Sequence, residues 1–152
     1  MPRLQRTIDD FLNDDRELPA LSPSDTAAAA AAKMKACRSD AVAVVADAKL
    51  VGVFTERDYL NRVVALRLSP SNTKLADVMT PDPEHLGPED CVSYAINKMA
   101  VGGFRNVPVC EGNKLVGVLG VRDVMTHLFD LFAEASDRES QEINPWTDIG
   151  GG

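Results

Sequence analysis

Lys49-Leu50-Val51-Gly52-Val53-Phe54-Thr55-Glu56-Arg57-Asp58 returns 65 residues further on as Lys114-Leu115-Val116-Gly117-Val118-Leu119-Gly120-Val121-Arg122-Asp123. Shifting the whole chain by the same step overlays residues 21–60 on 86–125 without a gap, and about 15 of the 40 positions are identical. A register kept over that length marks two copies of one supersecondary unit. The other shared residues sit at structural punctuation: Leu21, Pro23 and Asp25 match Leu86, Pro88 and Asp90, and Lys33-Met34 matches Lys98-Met99.

Hydrophobic period and turn signals read the same way in both copies. A short extended piece (18–21 or 84–86) leads to a helix announced by Ser-Pro-Ser-Asp or Gly-Pro-Glu-Asp, with Pro and acid suited to a first turn. The first such helix, 25–37, is mostly alanine, which combines high helix propensity with a thin side chain for close packing. β-branched runs follow at 41–45 and 106–109. Turns at Asp47-Ala48 and Glu111-Gly112-Asn113 lead to second runs at 50–54 and 115–119, which predicts hairpins. Amphipathic helices over 56–68 and 121–133 close the copies. The order is strand, helix, strand, strand, helix.

A smaller echo precedes each copy: Thr7-Ile8-Asp9-Asp10-Phe11-Leu12 and Lys74-Leu75-Ala76-Asp77-Val78-Met79, displaced by 67 residues. The organisation expected is an N-terminal arm (1–17), a first repeat (18–68), a linker and lead-in (69–80), a second repeat (81–133) and an acidic tail (134–152). The tail is expected to be mobile or to lie on a partner, with Trp146 in Asn144-Pro145-Trp146 as a candidate anchor. One copy alone leaves the open side of its small sheet unburied, so the two should pack face to face about a pseudo-twofold axis and form two quasi-equivalent clefts.

Composition narrows the function classes. The formal net charge is −7 and the 16 Lys and Arg are scattered, so no basic face offers itself to a nucleic-acid backbone. No apolar run reaches the length of a signal peptide or a bilayer span, and the chain reads as cytoplasmic. Cys37, Cys91 and Cys110 share no ligand spacing and read as free thiols. His85 and His127 lack a second ligand at metal spacing, so neither a metal site nor a catalytic cofactor is expected. No nucleophile and base pair is legible, so the chain is not expected to be an enzyme.

One stretch carries binding chemistry. Gly52-Val53-Phe54-Thr55-Glu56-Arg57-Asp58 sets a strand end directly before a helix start, where open amides and the helix dipole suit a phosphate. Thr55 can donate its hydroxyl to a phosphate oxygen, and Asp58 can accept from both ribose hydroxyls. The same Thr-x-x-Asp reads equally as a capping box. In the second copy Gly120 replaces the hydroxyl while Asp123 remains. Arg57 and Arg122 suit a phosphate by charge, or pair with a nearby acid such as Glu56 or Asp123.

These residues resemble those of the CBS family, whose motifs occur in pairs. The resemblance covers residues 7–133 and rests on Asp77-Val78-Met79-Thr80, on Gly103-Phe104-Arg105-Asn106-Val107-Pro108-Val109, and on the Gly-hydrophobic-x-Thr-x-x-Asp ending of the first hairpin. It implies an α/β fold of two pseudo-twofold-related repeats, each with a small mixed sheet. It further implies a regulatory ligand that is AMP, ADP, ATP or a related adenosyl compound, with the binding state passed to a partner protein. Adenine is then expected against backbone near Ala41 and Val42, with Asn106 and Val107 in the other copy. Thr80 and Arg105 stand where the family supplies a polar contact and a phosphate-binding cation; in the first copy those positions are Asn13 and Asp40. Gly120 departs from the pattern and Asp40 would repel phosphate, so one cleft is expected to dominate, favouring the one with Thr55 and Asp58. Arg105 contributes its charge across the axis or stays solvated. Apolar residues of the closing helices, Val63, Val64 and Leu66 with Met125, Leu128, Phe129, Leu131 and Phe132, predict a homodimer. The competing reading is a ligand-free interaction module of the same fold.

Overall fold

The computed structural model describes residues 6–12 and 15–142. The chain forms two compact units, one ending at Val121 and one beginning at Arg122, and each is described by itself.

In the first unit, β1 (Ala20–Leu21) lies parallel to β2 (Ala41–Ala46), and β2 forms an antiparallel hairpin with β3 (Lys49–Thr55). The second copy repeats the hairpin as β5 (Asn106–Glu111) and β6 (Lys114–Gly120), paired in the same relative register. A single bridge, Lys49 to Lys114, joins the two hairpins at their turns, giving the strand order β1-β2-β3-β6-β5. Alternation along β2 sorts its side chains. Val42 and Val44 pack with Phe54, Met34 and Val63 beneath the helices of their own copy, whereas Ala43 and Val45 pack with Cys110, Leu115 and Val118 of the other.

The helix α1 (Ala27–Cys37) buries Ala27, Ala30, Met34 and Cys37 at helical spacing. It starts two residues later than expected, because Asp25 belongs to the preceding turn: its Oδ2 accepts the Ser22 amide at 2.7 Å, and Thr26 caps the helix instead. Asp90 repeats this turn on the Gly87 amide at 2.7 Å before α4 (Val92–Gly102).

Each lead-in packs on the opposite copy. Residues 6–9 bond to the segment before α4, with Ile8 N–H donating to Asp90 O and Val92 N–H to Arg6 O, both at 2.9 Å. The second lead-in, whose helix α3 spans Leu75–Val78, bonds to the segment before α1, with Leu75 N–H donating to Asp25 O at 2.8 Å. This exchange explains the repeated glycine of the Lys-Leu-Val-Gly-Val pentapeptide. Met79 lies on Gly52 and Leu12 lies on Gly117, so closely that a Cβ at either glycine would collide with the lead-in side chain.

After β3 the chain forms α2 (Glu56–Tyr59) and then a π turn over Leu60–Val64, where Ala65 N–H donates to Leu60 O at 2.9 Å. The expected regular helix to residue 68 therefore stops early, with Arg67 in a left-handed conformation. The wider turn carries Val63 fully into the core and leaves Leu60 and Val64 outside, which corrects its placement on a partner face.

The second unit contains nearly all of α5 (Val121–Glu142). The helix runs past the expected end at residue 133 because Glu134, Ala135, Arg138 and Glu139 are good helix formers. The start of the presumed tail is thus helical, while Asn144-Pro145-Trp146 lies outside the described residues. Met125, Phe129 and Phe132 form an exposed stripe on α5.

Candidate functional site

A cleft of 660 Å³ opens in the first unit, with walls drawn from both copies. One wall is the β3–α2 junction, with Thr55, Glu56, Arg57 and Asp58, together with Asp40 at the entry to β2. The other is the segment from Gly102 to Pro108 with Lys98 of α4. Between them runs the second lead-in through Thr80, Asp82 and Glu84. Backbone register fixes these positions. The short strand β4 (Thr80–Pro81) pairs with β3 so that Thr80 opposes Val53, two residues before Thr55. Asp40 O accepts the Glu56 amide at 3.0 Å, and Arg105 O accepts the Val121 amide at 2.8 Å. Asp40 and Arg105 are thus one structural position of the repeat with opposite charge, and both line this cleft.

Thr55 and Asp58 form the capping box. The Asp58 amide donates to Thr55 Oγ1 at 3.1 Å and the Thr55 amide to Asp58 Oδ2 at 3.0 Å. Arg62 Nε stands 3.8 Å from Asp58 Oδ1 and its Nη1 donates to Val78 O at 2.9 Å, tying α2 to the lead-in that carries Thr80. The amides of Thr55, Glu56 and Asp58 are all used within the fold, so these three are not among the open donors expected at this junction. What the junction still presents to the cleft is side-chain chemistry: a half-buried hydroxyl, a half-buried carboxylate with spare acceptor positions, and the Arg57 guanidinium.

Eight sequence-predicted residues converge here: Asp40, Thr55, Arg57, Asp58, Thr80, Arg105, Asn106 and Val107. Thr80, assigned from the sequence to a separate cleft, joins Thr55 and Asp58, as does Arg105, for which the sequence left open a contribution across the axis or a solvated place. Four predicted residues are not among the lining. Ala41 and Val42 are fully buried, and the Ser39 hydroxyl donates to Ala41 O at 2.8 Å and accepts the Ala41 amide at 3.3 Å. That edge is closed by its own neighbour, whereas Asn106 and Val107 line the cleft. Gly120 pairs with Asn106 at the end of β6, and Asp123 belongs to the second unit. Asn13 lies outside the described residues.

Sequence reasoning missed Phe104, which is 45% exposed in the cleft with its ring against Gly102 and occupies the position of Ser39 in the first copy. It also missed Glu84 and Lys98, joined at 3.2 Å, although the signal was present, since Glu17 and Lys33 form the matching pair at 2.5 Å. In each pair the hydrogen bond that the ammonium donates to the carboxylate raises the lysine pKa. Burial pushes the thiols of Cys37 and Cys110 up, and neither lines the cleft. Among the described residues, no cluster of His, Cys, Asp and Glu is arranged to hold a metal ion, and no helix is long and apolar enough to cross a membrane.

The relatives bear on this geometry. CBS domain-containing protein CBSCBSPB1 of Arabidopsis thaliana is 35% identical over 119 residues, 78% of this chain and 22% of the relative. The chain spans about a fifth of the length of the first curated relatives it matches. A crystal structure of a CBS domain superposes with a TM-score of 0.74 at 25% identity, covering 82% of this chain and 98% of that one. A CBS domain protein from Pyrobaculum aerophilum complexed with AMP superposes with a TM-score of 0.70 at 28% identity, covering 77% and 88%. The CBS domain model matches residues 8–65 and again 75–130, the two copies set out above with their lead-ins, and the chain therefore belongs to the CBS domain family as a tandem pair.

Proposed function

We propose that this module binds an adenosine nucleotide, AMP, ADP or ATP or a related adenosyl ligand, in the cleft between its two copies and acts by binding rather than by catalysis. The observation that carries the reading is the convergence of Thr55, Asp58 and Thr80 with Arg105 and Asn106 in one cleft. Its volume lies within the range of roughly 300–1,000 Å³ usual for small-molecule sites. The AMP complex of the Pyrobaculum relative supports the ligand class.

Asp58 accepts from the ribose hydroxyls with the oxygen capacity its cap leaves over, and Thr55, Thr80 and the guanidinium groups of Arg57 and Arg105 take the phosphate. The backbone at Asn106 and Val107 reads the base. A ligand held by both walls favours one packing of the two copies over others, and a partner protein of unknown identity senses that shift. The exposed residues Leu60, Val64, Leu66 and Leu68 after α2, and the α5 stripe, favour assembly of the module as a homodimer.

Calorimetric titration of AMP, ADP, ATP and S-adenosylmethionine into the wild-type chain, Asp58→Ala and Asp123→Ala tests the reading. The expected result is roughly micromolar binding that weakens about ten- to a hundredfold in Asp58→Ala and little in Asp123→Ala, since a charge-assisted bond to ribose is worth about 1.5–3 kcal/mol. A thermal melt of Asp58→Ala separates loss of the site from loss of the cap. No binding of any ligand hands the function to the ligand-free interaction module.

A further inference from the structure

The charge inventory of the cleft goes beyond the class of ligand to its phosphate count. Five carboxylates line it, those of Asp40, Glu56, Asp58, Asp82 and Glu84, against three cations, Arg57, Lys98 and Arg105. Lys98 is held by Glu84, and Asp58 is engaged by Thr55 and faces Arg62. Among the described residues, Arg57 and Arg105 make no ion pair, and neither do Asp40, Glu56 and Asp82. Two uncommitted cations therefore face three uncommitted carboxylates. Two positive charges match one phosphate monoester, which carries about −1.5 to −2 at neutral pH. A second or third phosphate adds negative charge for which no further free cation lines the cleft, and it must extend past carboxylates.

Resting on the binding reading above, we infer that the cleft selects an adenosine monophosphate over the di- and triphosphate. Asp82 and Glu56 are the discriminating acids. Both are exposed, so their effect is a repulsion screened by salt and not a steric block. Asp40 works in the same sense from the position where the other copy has Arg105. One phosphate is met by Arg57 and Arg105 from the two walls, and a longer chain meets Asp40, Glu56 and Asp82 with no further free cation to offset them.

The test is the ratio of dissociation constants for AMP and ATP, measured with EDTA at ionic strengths of about 0.02 M and about 0.5 M. AMP is expected to bind at least about tenfold tighter than ATP at low salt, with the gap closing as salt is raised. The double variant Glu56→Gln/Asp82→Asn should recover ATP affinity several-fold more than it alters AMP affinity. Asparagine suits the left-handed backbone of Asp82, whose φ is 44°, so the variant keeps the fold. ATP binding as tightly as AMP in the wild-type chain, or a gap indifferent to both salt and the double variant, overturns the inference while leaving the binding reading intact. Failure of both nucleotides to bind removes the reading and the inference together.

Discussion

The two copies part company at the same places that they share in backbone. Where β3 turns into α2, the first copy has a hydroxyl and closes the capping box with Thr55; where β6 turns into α5, the second has Gly120. At the entry to the central strand the first copy has Ser39 and Asp40, and the second has Phe104 and Arg105. Ser39 closes the edge of Ala41, whereas Phe104 and Arg105 stand in the cleft. One cleft collects Thr55, Arg57 and Asp58 from the first copy and Phe104 and Arg105 from the second. The repeat supplies a shared frame, and the differences at 39/104, 40/105 and 55/120 set the chemistry of this cleft.

The frame itself should be harder to break than the differences, and the exchanged lead-ins are where to strike it. Gly52→Ala sets a methyl group against the thioether of Met79, deep in a side chain pinned between α3 and β4, and should lower stability by about 1–3 kcal/mol. Gly117→Ala meets only the end of Leu12, whose nearest methyl stands 2.8 Å from the new Cβ and can turn away, so its cost should be the smaller. Urea unfolding of the two variants measures both. Equal costs would mean that the two lead-ins are held alike and that the comparison fails in the frame.

Helix ends sharpen the contrast at smaller amplitude. Both first helices end in a left-handed residue, Arg38 at φ 51° and Gly103 at φ 71°. Only glycine adopts that conformation without a Cβ penalty. Arg38→Gly should therefore stabilise the protein by roughly 1 kcal/mol, and Gly103→Ala should destabilise it by a similar amount, roughly 1–2 kcal/mol. A Cβ at Gly103 meets nothing within 4 Å, so the second change isolates the backbone effect from packing. A neutral outcome at both positions would show that neighbouring contacts, not backbone conformation, set these ends.

Much of the frame was legible because it repeats. Paired pentapeptides, prolines before helices and alternating valines reported the hairpins and the first helix of each copy to within a few residues, but not the ends of the closing helices. The π turn was not legible, since its cause is the fit of Val63 into the core and nothing in the local pattern of Leu60 to Val64 forbids a regular helix. The exchange of lead-ins was equally hidden: an echo displaced by 67 instead of 65 residues shows that it repeats, not which copy it packs on. For the cleft, the residue types were readable, whereas their grouping was not. Thr80 looked like part of another site until the β3–β4 pairing set it beside Val53, and for Arg105 the sequence left two places open, across the axis or in solvent. Ser39 was silent because a hydroxyl two residues before a strand carries no signal until its bonds to Ala41 are seen.

The smallest difference concerns the two matching ion pairs, Glu17 with Lys33 and Glu84 with Lys98, in which both glutamates are about two-thirds exposed. Pairs so exposed contribute little to stability, and Glu17→Gln and Glu84→Gln should each leave the thermal midpoint at neutral pH nearly unchanged. The sign of the residual effect is fixed. Both lysines are raised above 10.5 by the hydrogen bond to glutamate, so any stabilisation is complete below that value and disappears as pH climbs through the raised one. The wild type should therefore lose its slight advantage over either variant only in the alkaline range. Ligand binding separates the pairs where stability does not, because only Glu84 and Lys98 line the cleft. Glu84→Gln removes a carboxylate and releases Lys98 to the ligand, so ATP affinity should rise about two- to threefold at low salt, while Glu17→Gln should leave it unaltered. Identical nucleotide affinities in the two variants would place Lys98 outside the reach of the phosphates and confine phosphate recognition to Arg57 and Arg105.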